Sequence, residues 1–126
     1  MKIDGILFQL TCVAINGDSF AVIKLDETIA TKNSDFISDF EQFLLPVYGQ
    51  KIENHYWFPN KINTTVVRVR NRKEIDIRVW KGEESMACGT GACAAVVAAV
   101  VNEWTERVVT VHLRGGDLVI RWDEGG

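Results

Sequence analysis

The sequence predicts an α/β (α+β) domain in which a largely antiparallel sheet wraps around one buried central helix. Three observations carry that expectation. Residues 91–101 hold no charged or strongly polar side chain, so a helix there is apolar all round and needs burial on every side. Two stretches of period-two alternation flank this helix, each with a turn at its centre. Small side chains at Ala92, Ala94, Ala95, Ala98 and Ala99 let strands come close, and a sheet curled around a single helix is the economical way to bury them.

Taken in order, residues 6–15 (ILFQLTCVAI) and 20–25 (FAVIKL) read as strands around the turn Asn16-Gly17-Asp18. An amphipathic helix follows. Asn33 or Ser34 can cap it by accepting a bond from a free backbone N–H, and Phe36, Ile37, Phe40, Phe43 and Leu44 recur at helical spacing. Pro46 and Gly49 are expected to end that helix or to separate it from another short turn. From Asn63 the period changes to two. Thr65, Val67 and Val69, then Ile75, Ile77 and Val79, alternate with polar residues on either side of Asn71-Arg72-Lys73, which predicts an antiparallel hairpin with one buried face. A second hairpin runs through Val109, Val111 and Leu113 to Gly115-Gly116, a pair expected to supply the positive φ angles of a two-residue turn. Leu118, Ile120 and Trp122 then take the inward face.

No linker or low-complexity segment divides the 126 residues, which are read as one domain, 1–126. Apolar residues at 47% and charged residues at 25% are ordinary for a soluble globular protein. A formal net charge of -3 offers no electrostatic attraction to nucleic acid or to an anionic membrane. The longest apolar stretch, Ala92 to Val101, is about half of the roughly 20 residues a membrane span needs. The apolar run at the N-terminus is too short for a secretory signal, so the expected location is cytoplasmic. Cys12, Cys88 and Cys93 form no CxxC pair and read as free thiols. Only His55 and His112 accompany them, neither with ligand spacing to a cysteine, so no metal site is expected.

Cys88-Gly89-Thr90-Gly91 opens the buried helix. The first turn of a helix leaves about four N–H groups without intrahelical partners and carries the positive end of the macrodipole, so an anion can be held there by backbone alone. Gly89 and Gly91 remove side chains that would block close approach, and Thr90 adds a hydroxyl. The same field favours a thiolate and predicts a reactive Cys88. A carboxylate site beside such a thiol is what proton abstraction next to a carboxyl group requires. Cys93, five residues further on, reads as core, and Cys12 as strand packing. The glycines do not make a phosphate loop: the Lys of GxxxxGK[ST] is absent, and GTG is too short for a dinucleotide fingerprint.

The string MACGTGACAA, Met86 to Ala95, is similar to the second cysteine motif of diaminopimelate epimerases. As in that family, it is followed by a strand and a GG hairpin, here VTVHLRGGDLVIRW. Gly49 to Asn63 (GQKIENHYWFPNKIN) resembles the family's G-x-x-I-E-x-H-x-x-F-P-x-x-x-N segment, and Ile75 to Trp80 (IDIRVW) resembles its last strand before the cysteine. The resemblance is best over residues 49–122 and implies the C-terminal lobe of a diaminopimelate-epimerase-like isomerase of lysine biosynthesis. It further implies two lobes of similar fold with the site between them, no pyridoxal phosphate and no metal, and one cysteine from each lobe on opposite sides of the substrate's α-carbon. By this resemblance Cys88 is the second lobe's acid/base, the N–H groups of Gly89 and Thr90 hold the α-carboxylate, and Asn63 hydrogen-bonds the amino-acid substrate. The partner is a second copy in a homodimer or a complementary lobe.

Three departures stand against a complete match. The other lobe and its cysteine motif are absent. The family's Glu-Arg pair after the strand's Trp is missing, because WKGEESMAC is two residues shorter and offers Lys81, Glu83 and Glu84. The family's Gly-Asn-Pro-His turn is replaced by Asn16-Gly17-Asp18-Ser19. The chain also stops where the family continues into another strand, which would leave an open sheet edge. The alternatives to an epimerase lobe are a catalytically silent lobe that binds an amino acid or a protein, and a truncated fragment.

Overall fold

The computed structural model of the chain describes residues 1–25, 29–30 and 39–123. In chain order the elements are β1 (Lys2–Ile3), β2 (Ile6–Leu7), β3 (Thr11–Ile15), β4 (Asp18–Lys24), β5 (Ile29–Ala30), α1 (Leu45–Glu53), β6 (Asn63–Asn71), β7 (Glu74–Trp80), β8 (Glu84–Ser85), α2 (Gly89–Val101), β9 (Val108–Leu113) and β10 (Gly116–Arg121). The main sheet runs β10-β9-β7-β6-β4-β3 with β8 added to β7, and a small sheet is made by β1, β2 and β5. Helix α2 touches β3, β4, β6, β7, β9 and β10. The sheet therefore wraps most of the apolar helix, but not every side of it as expected: Cys93, Val97 and Val100 are half-buried and Val101 is exposed.

The hairpin partners β3/β4, β6/β7 and β9/β10 are antiparallel, whereas β4/β6 and β7/β9 are parallel. Each parallel pair is joined by a crossover that carries a helix, α1 in one case and α2 in the other, because parallel neighbours need a long return connection. The sheet is thus mixed, and its parallel junctions flank the β6/β7 hairpin. Between β3 and β4, Ile15 pairs with Asp18, and Asn16 and Gly17 take φ of 49° and 87°. Asn-Gly suits that two-residue turn because both residues tolerate positive φ.

Several expectations need correction. Asn33, Ser34, Phe36 and Ile37 lie outside the described residues. Of the rest of that expected helix, Phe40, Phe43 and Leu44 lie in a turn and irregular backbone, and a separate helix, α1, begins at Leu45 with Pro46 in its first turn and Gly49 inside it, so neither residue ends a helix. A proline fits that place because its missing N–H would have no intrahelical partner anyway. In the closing hairpin Leu113 pairs with Gly116, so the two-residue loop is Arg114-Gly115 and only Gly116 has positive φ, at 150°. The inward residues of β10 are also less covered than expected: Leu118 is exposed, and Ile120 and Trp122 are half-buried, because β10 ends the sheet.

The β6/β7 hairpin does not have a single buried face. Every residue of β7 from Ile75 to Trp80 is buried. On one side Phe20, Val22, Val67, Ile75, Ile77 and Val79 pack against α2. On the other, Ala21, Ile23, Val66 and Trp80 meet Leu45 and Ile52 of α1 together with Phe8, Phe40 and Phe43. A strand covered on both sides must satisfy its polar side chains internally. Asp76 accepts hydrogen bonds from Arg68 (3.0 Å) and Arg70 (2.8 and 2.7 Å), and Arg78 pairs with Glu84.

Candidate active site

Cys88 is the N-cap of α2, with φ -100° and ψ 101°. Its Sγ accepts a hydrogen bond from the Gly91 N–H at 3.4 Å and lies 3.4 Å from Thr90 Oγ1. The Ala92 N–H donates to the Cys88 carbonyl as the first helical bond (3.0 Å). This leaves the N–H groups of Gly89 and Thr90, in the unsatisfied first turn, without a partner among the described residues. Gly89 is exposed, and a β-carbon there would meet nothing within 4 Å. Gly91 serves packing instead of ligand approach: a β-carbon at that position would lie 2.8 Å from Val79 Cγ2.

The approach to Cys88 is held on several sides. Strand β8 pairs Ser85 with Val79 and Glu84 with Trp80. Glu84 accepts two hydrogen bonds from buried Arg78, at 2.9 and 2.8 Å, while Arg78 Nη1 donates to the carbonyls of Phe40 (3.0 Å) and Phe43 (2.8 Å). Arg114 adds a second cation 3.2 Å from Glu84. These arginines hold the Glu84 carboxyl below the usual glutamate range, with the Arg78 hydrogen bond as the main cause. The Gly115 N–H, in the β9–β10 turn, donates to the Met86 carbonyl at 2.9 Å. Arg78 and Gly115 escape sequence reasoning as positioning groups. The one available signal is an arginine between Ile77 and Val79 in a strand whose residues from Ile75 to Trp80 are all buried.

Asn63 opens β6 opposite Phe20 and is half-buried. It lines an open cleft of about 530 Å³ with Gly17, Asp18, Ser19, Asn60, Lys61 and Lys81 among others. Cys88 does not line this cleft. Its neighbours Ala87 and Gly89 line a separate depression with Leu113, Gly115 and Leu118. The element that relates the two is Lys81. Its ammonium donates to Asp18 at 2.8 Å and is near enough to Cys88 to feel a charge there. The hydrogen bond to Asp18 pushes the Lys81 pKa up, with Coulombic help from Asp18 and Cys88. Cys93 is half-buried. Cys12 is exposed on the edge strand β3, not packed into the core, because its side chain points away from α2 at the sheet's margin. Among the described residues no group of His, Cys, Asp and Glu is placed to hold a metal ion, and no helix is long and apolar enough to cross a membrane.

A mixed sheet curled on a buried helix defines a class of lobe seen in solved structures. The phenazine biosynthesis protein of the PhzF family from Bacillus anthracis shares it with a TM-score of 0.59 and 16% identity, over 96% of this chain and 37% of that one. A PhzF-family phenazine biosynthesis protein from Enterococcus faecalis gives a TM-score of 0.51 and 15% identity, over 86% of this chain and 35% of that one. At such identities the likeness is one of fold. The chain belongs to the diaminopimelate epimerase family, whose model matches residues 34–126. The diaminopimelate epimerase of Acetivibrio thermocellus is 40% identical over 126 residues, covering 98% of this chain and 40% of that protein. That of Bacillus thuringiensis is 45% identical over 123 residues, covering 94% and 38%. The chain spans about 40% of the length of the curated relatives it matches.

Proposed function

We propose that this chain is one lobe of a cofactor-independent amino-acid epimerase, acting in the cytoplasm on diaminopimelate or a related free amino acid. Cys88 serves as the acid/base at the substrate's α-carbon. The observation that carries the reading is the Cys88 sulfur at the cap of α2, next to the unpartnered N–H groups of Gly89 and Thr90. As a thiolate, Cys88 takes the α-proton. The electron pair left on the α-carbon spreads into the carboxylate, and the N–H groups of Gly89 and Thr90 stabilise the charge that grows there. A thiol on the opposite face then delivers its own proton to the α-carbon and is left as a thiolate, which inverts the centre. That second thiol comes from another lobe, either a second copy of this chain or a complementary chain. Asn63 hydrogen-bonds the bound amino acid from the cleft.

The test is α-proton exchange in heavy water, with diaminopimelate and a panel of free amino acids, comparing the chain with Cys88→Ser. Exchange that vanishes in Cys88→Ser supports the reading. A second reading, a lobe that binds without turnover, is favoured by the absence of Cys88 from the lining of the Asn63 cleft. Binding of an amino acid with no exchange, also in the presence of a complementary lobe, would decide for it.

A further inference from the structure

Two departures from the family's pattern meet in space. The shortened loop after Trp80 leaves Lys81 where the Glu-Arg pair is missing, and the altered turn between β3 and β4 introduces Asp18. These residues are 63 positions apart, yet Lys81 Nζ and Asp18 Oδ2 lie 2.8 Å from each other at the wall of the Asn63 cleft.

We propose that Lys81 and Asp18 form a binding pair for the zwitterionic head of an α-amino acid, Lys81 taking the carboxylate and Asp18 the ammonium group. The proposal rests on the epimerase reading above and names the groups that replace the missing Glu-Arg pair. A lysine ammonium has three donors, and a carboxylate about four acceptor positions. The bond between Lys81 and Asp18 uses one of each, and among the described residues Lys81 Nζ makes no other hydrogen bond. A zwitterion can therefore join the pair side by side without breaking it, giving four charges of alternating sign. The side chains are 44% and 35% exposed, so neither has to be dug out of the core.

The charges of the cleft favour this class of ligand over others. Its lining carries Lys61 and Lys81 against Glu53 and Asp18, so both signs are present and they balance. Lys61 and Glu53 form a looser pair at 3.9 Å. A polyanion such as a nucleotide would meet two carboxylates there, and a simple carboxylic acid would leave Asp18 without a gain. The cleft volume falls within the roughly 300–1,000 Å³ usual for small-molecule sites.

The experiment is a titration of the full chain, and of Lys81→Met, Lys81→Arg, Asp18→Asn and Cys88→Ser, followed by amide chemical shifts at Ser19, Asn63 and Gly82. The probes are diaminopimelate, pimelate (no amino group) and pentane-1,5-diamine (no carboxylate). The amide spectra also report whether each variant is folded, and α-proton exchange is read on the same samples. Diaminopimelate should bind while the two probes lacking one charge bind at least about tenfold more weakly, and Lys81→Met and Asp18→Asn should each weaken diaminopimelate by about tenfold or more. Lys81→Arg should recover most of the affinity, and Cys88→Ser should keep it. Binding unchanged within about twofold in folded Lys81→Met and Asp18→Asn, or no binding of diaminopimelate to the wild-type chain, overturns the proposal. Cys88-dependent exchange that is indifferent to Lys81 and Asp18 overturns this proposal alone. Binding that depends on Lys81 and Asp18, with no exchange, overturns the epimerase reading and leaves the pair standing.

Discussion

Gly49 lies against the indole of Trp80: a β-carbon added at position 49 would stand 2.5 Å from Trp80 Cγ and 2.8 Å from Cδ1. The contact sets how closely α1 approaches β7, and the Trp80 Nε1–H completes it by donating to Glu53 Oε1 at 3.0 Å. In an exposed helix Gly→Ala stabilises by about 1 kcal/mol. Here the added methyl has no room, and Trp80 is buried with nowhere to move. Overpacking of this kind costs about 1–3 kcal/mol. Gly49→Ala should therefore be a net destabilisation, read as a lower urea midpoint with an unchanged slope. A higher midpoint would mean that the indole swings aside freely.

Arg78 is the arginine most deeply placed in the sheet, with its side chain 5% exposed and bonded to Glu84 and to the carbonyls of Phe40 and Phe43. Breaking a buried ion pair by removing one partner typically costs about 3–5 kcal/mol. Arg78→Ala should unfold the chain at correspondingly lower urea. Because the Glu84 pKa is depressed, its stabilising contribution is present above the ordinary glutamate pKa and is lost as pH falls through the depressed value. Acid unfolding of wild type and of Glu84→Gln checks this: the gap in midpoint between them should close toward the acid limb.

His112 lies between two carboxylates, 2.8 Å from Asp117 and 3.1 Å from Glu74. The hydrogen bond to Asp117, then that to Glu74, raises its pKa. A raised histidine pKa adds stability that is complete below the unfolded value of about 6.5 and disappears as pH rises through the folded value. The urea midpoint of wild type should exceed that of His112→Gln at pH 6, and the difference should shrink on going to pH 9. A constant difference would assign His112 to packing.

Partial desolvation by its surroundings pushes the Cys12 thiol up although its side chain reaches solvent, and burial followed by the charge of Cys88 pushes up that of Cys93. Alkylation of both by iodoacetamide should keep accelerating above pH 9, since the thiolate is the reacting form. In Cys88→Ser the Cys93 profile should shift to lower pH while that of Cys12 stays in place. Peptide mass mapping after timed quenching reads each site separately.

Much of the site's local form was legible from consecutive residues. The helix over Gly89–Val101, the hairpins about Arg72-Lys73 and Gly115, the Asn16-Gly17 turn and the position of Cys88 at a helix start follow from periodicity and backbone preference. Both are properties of neighbouring residues. The place of Pro46 was legible in principle, since proline is as much a helix starter as a breaker. Choosing between the two required knowing that Leu45, Gly49 and Ile52 have a sheet to face.

The sequence by itself determined that one helix had to be enclosed by strands and that Cys88 stands at its positive end, because apolar periodicity and helix polarity are written into the local chain. Only the tertiary structure decided the parallel pairings β4/β6 and β7/β9, the burial of β7 on both sides, and the meeting of Lys81 with Asp18. These depend on which faces dock and how the crossovers return. Contacts between residues tens of positions apart are set by packing around α2, not by any preference of the segments that make them.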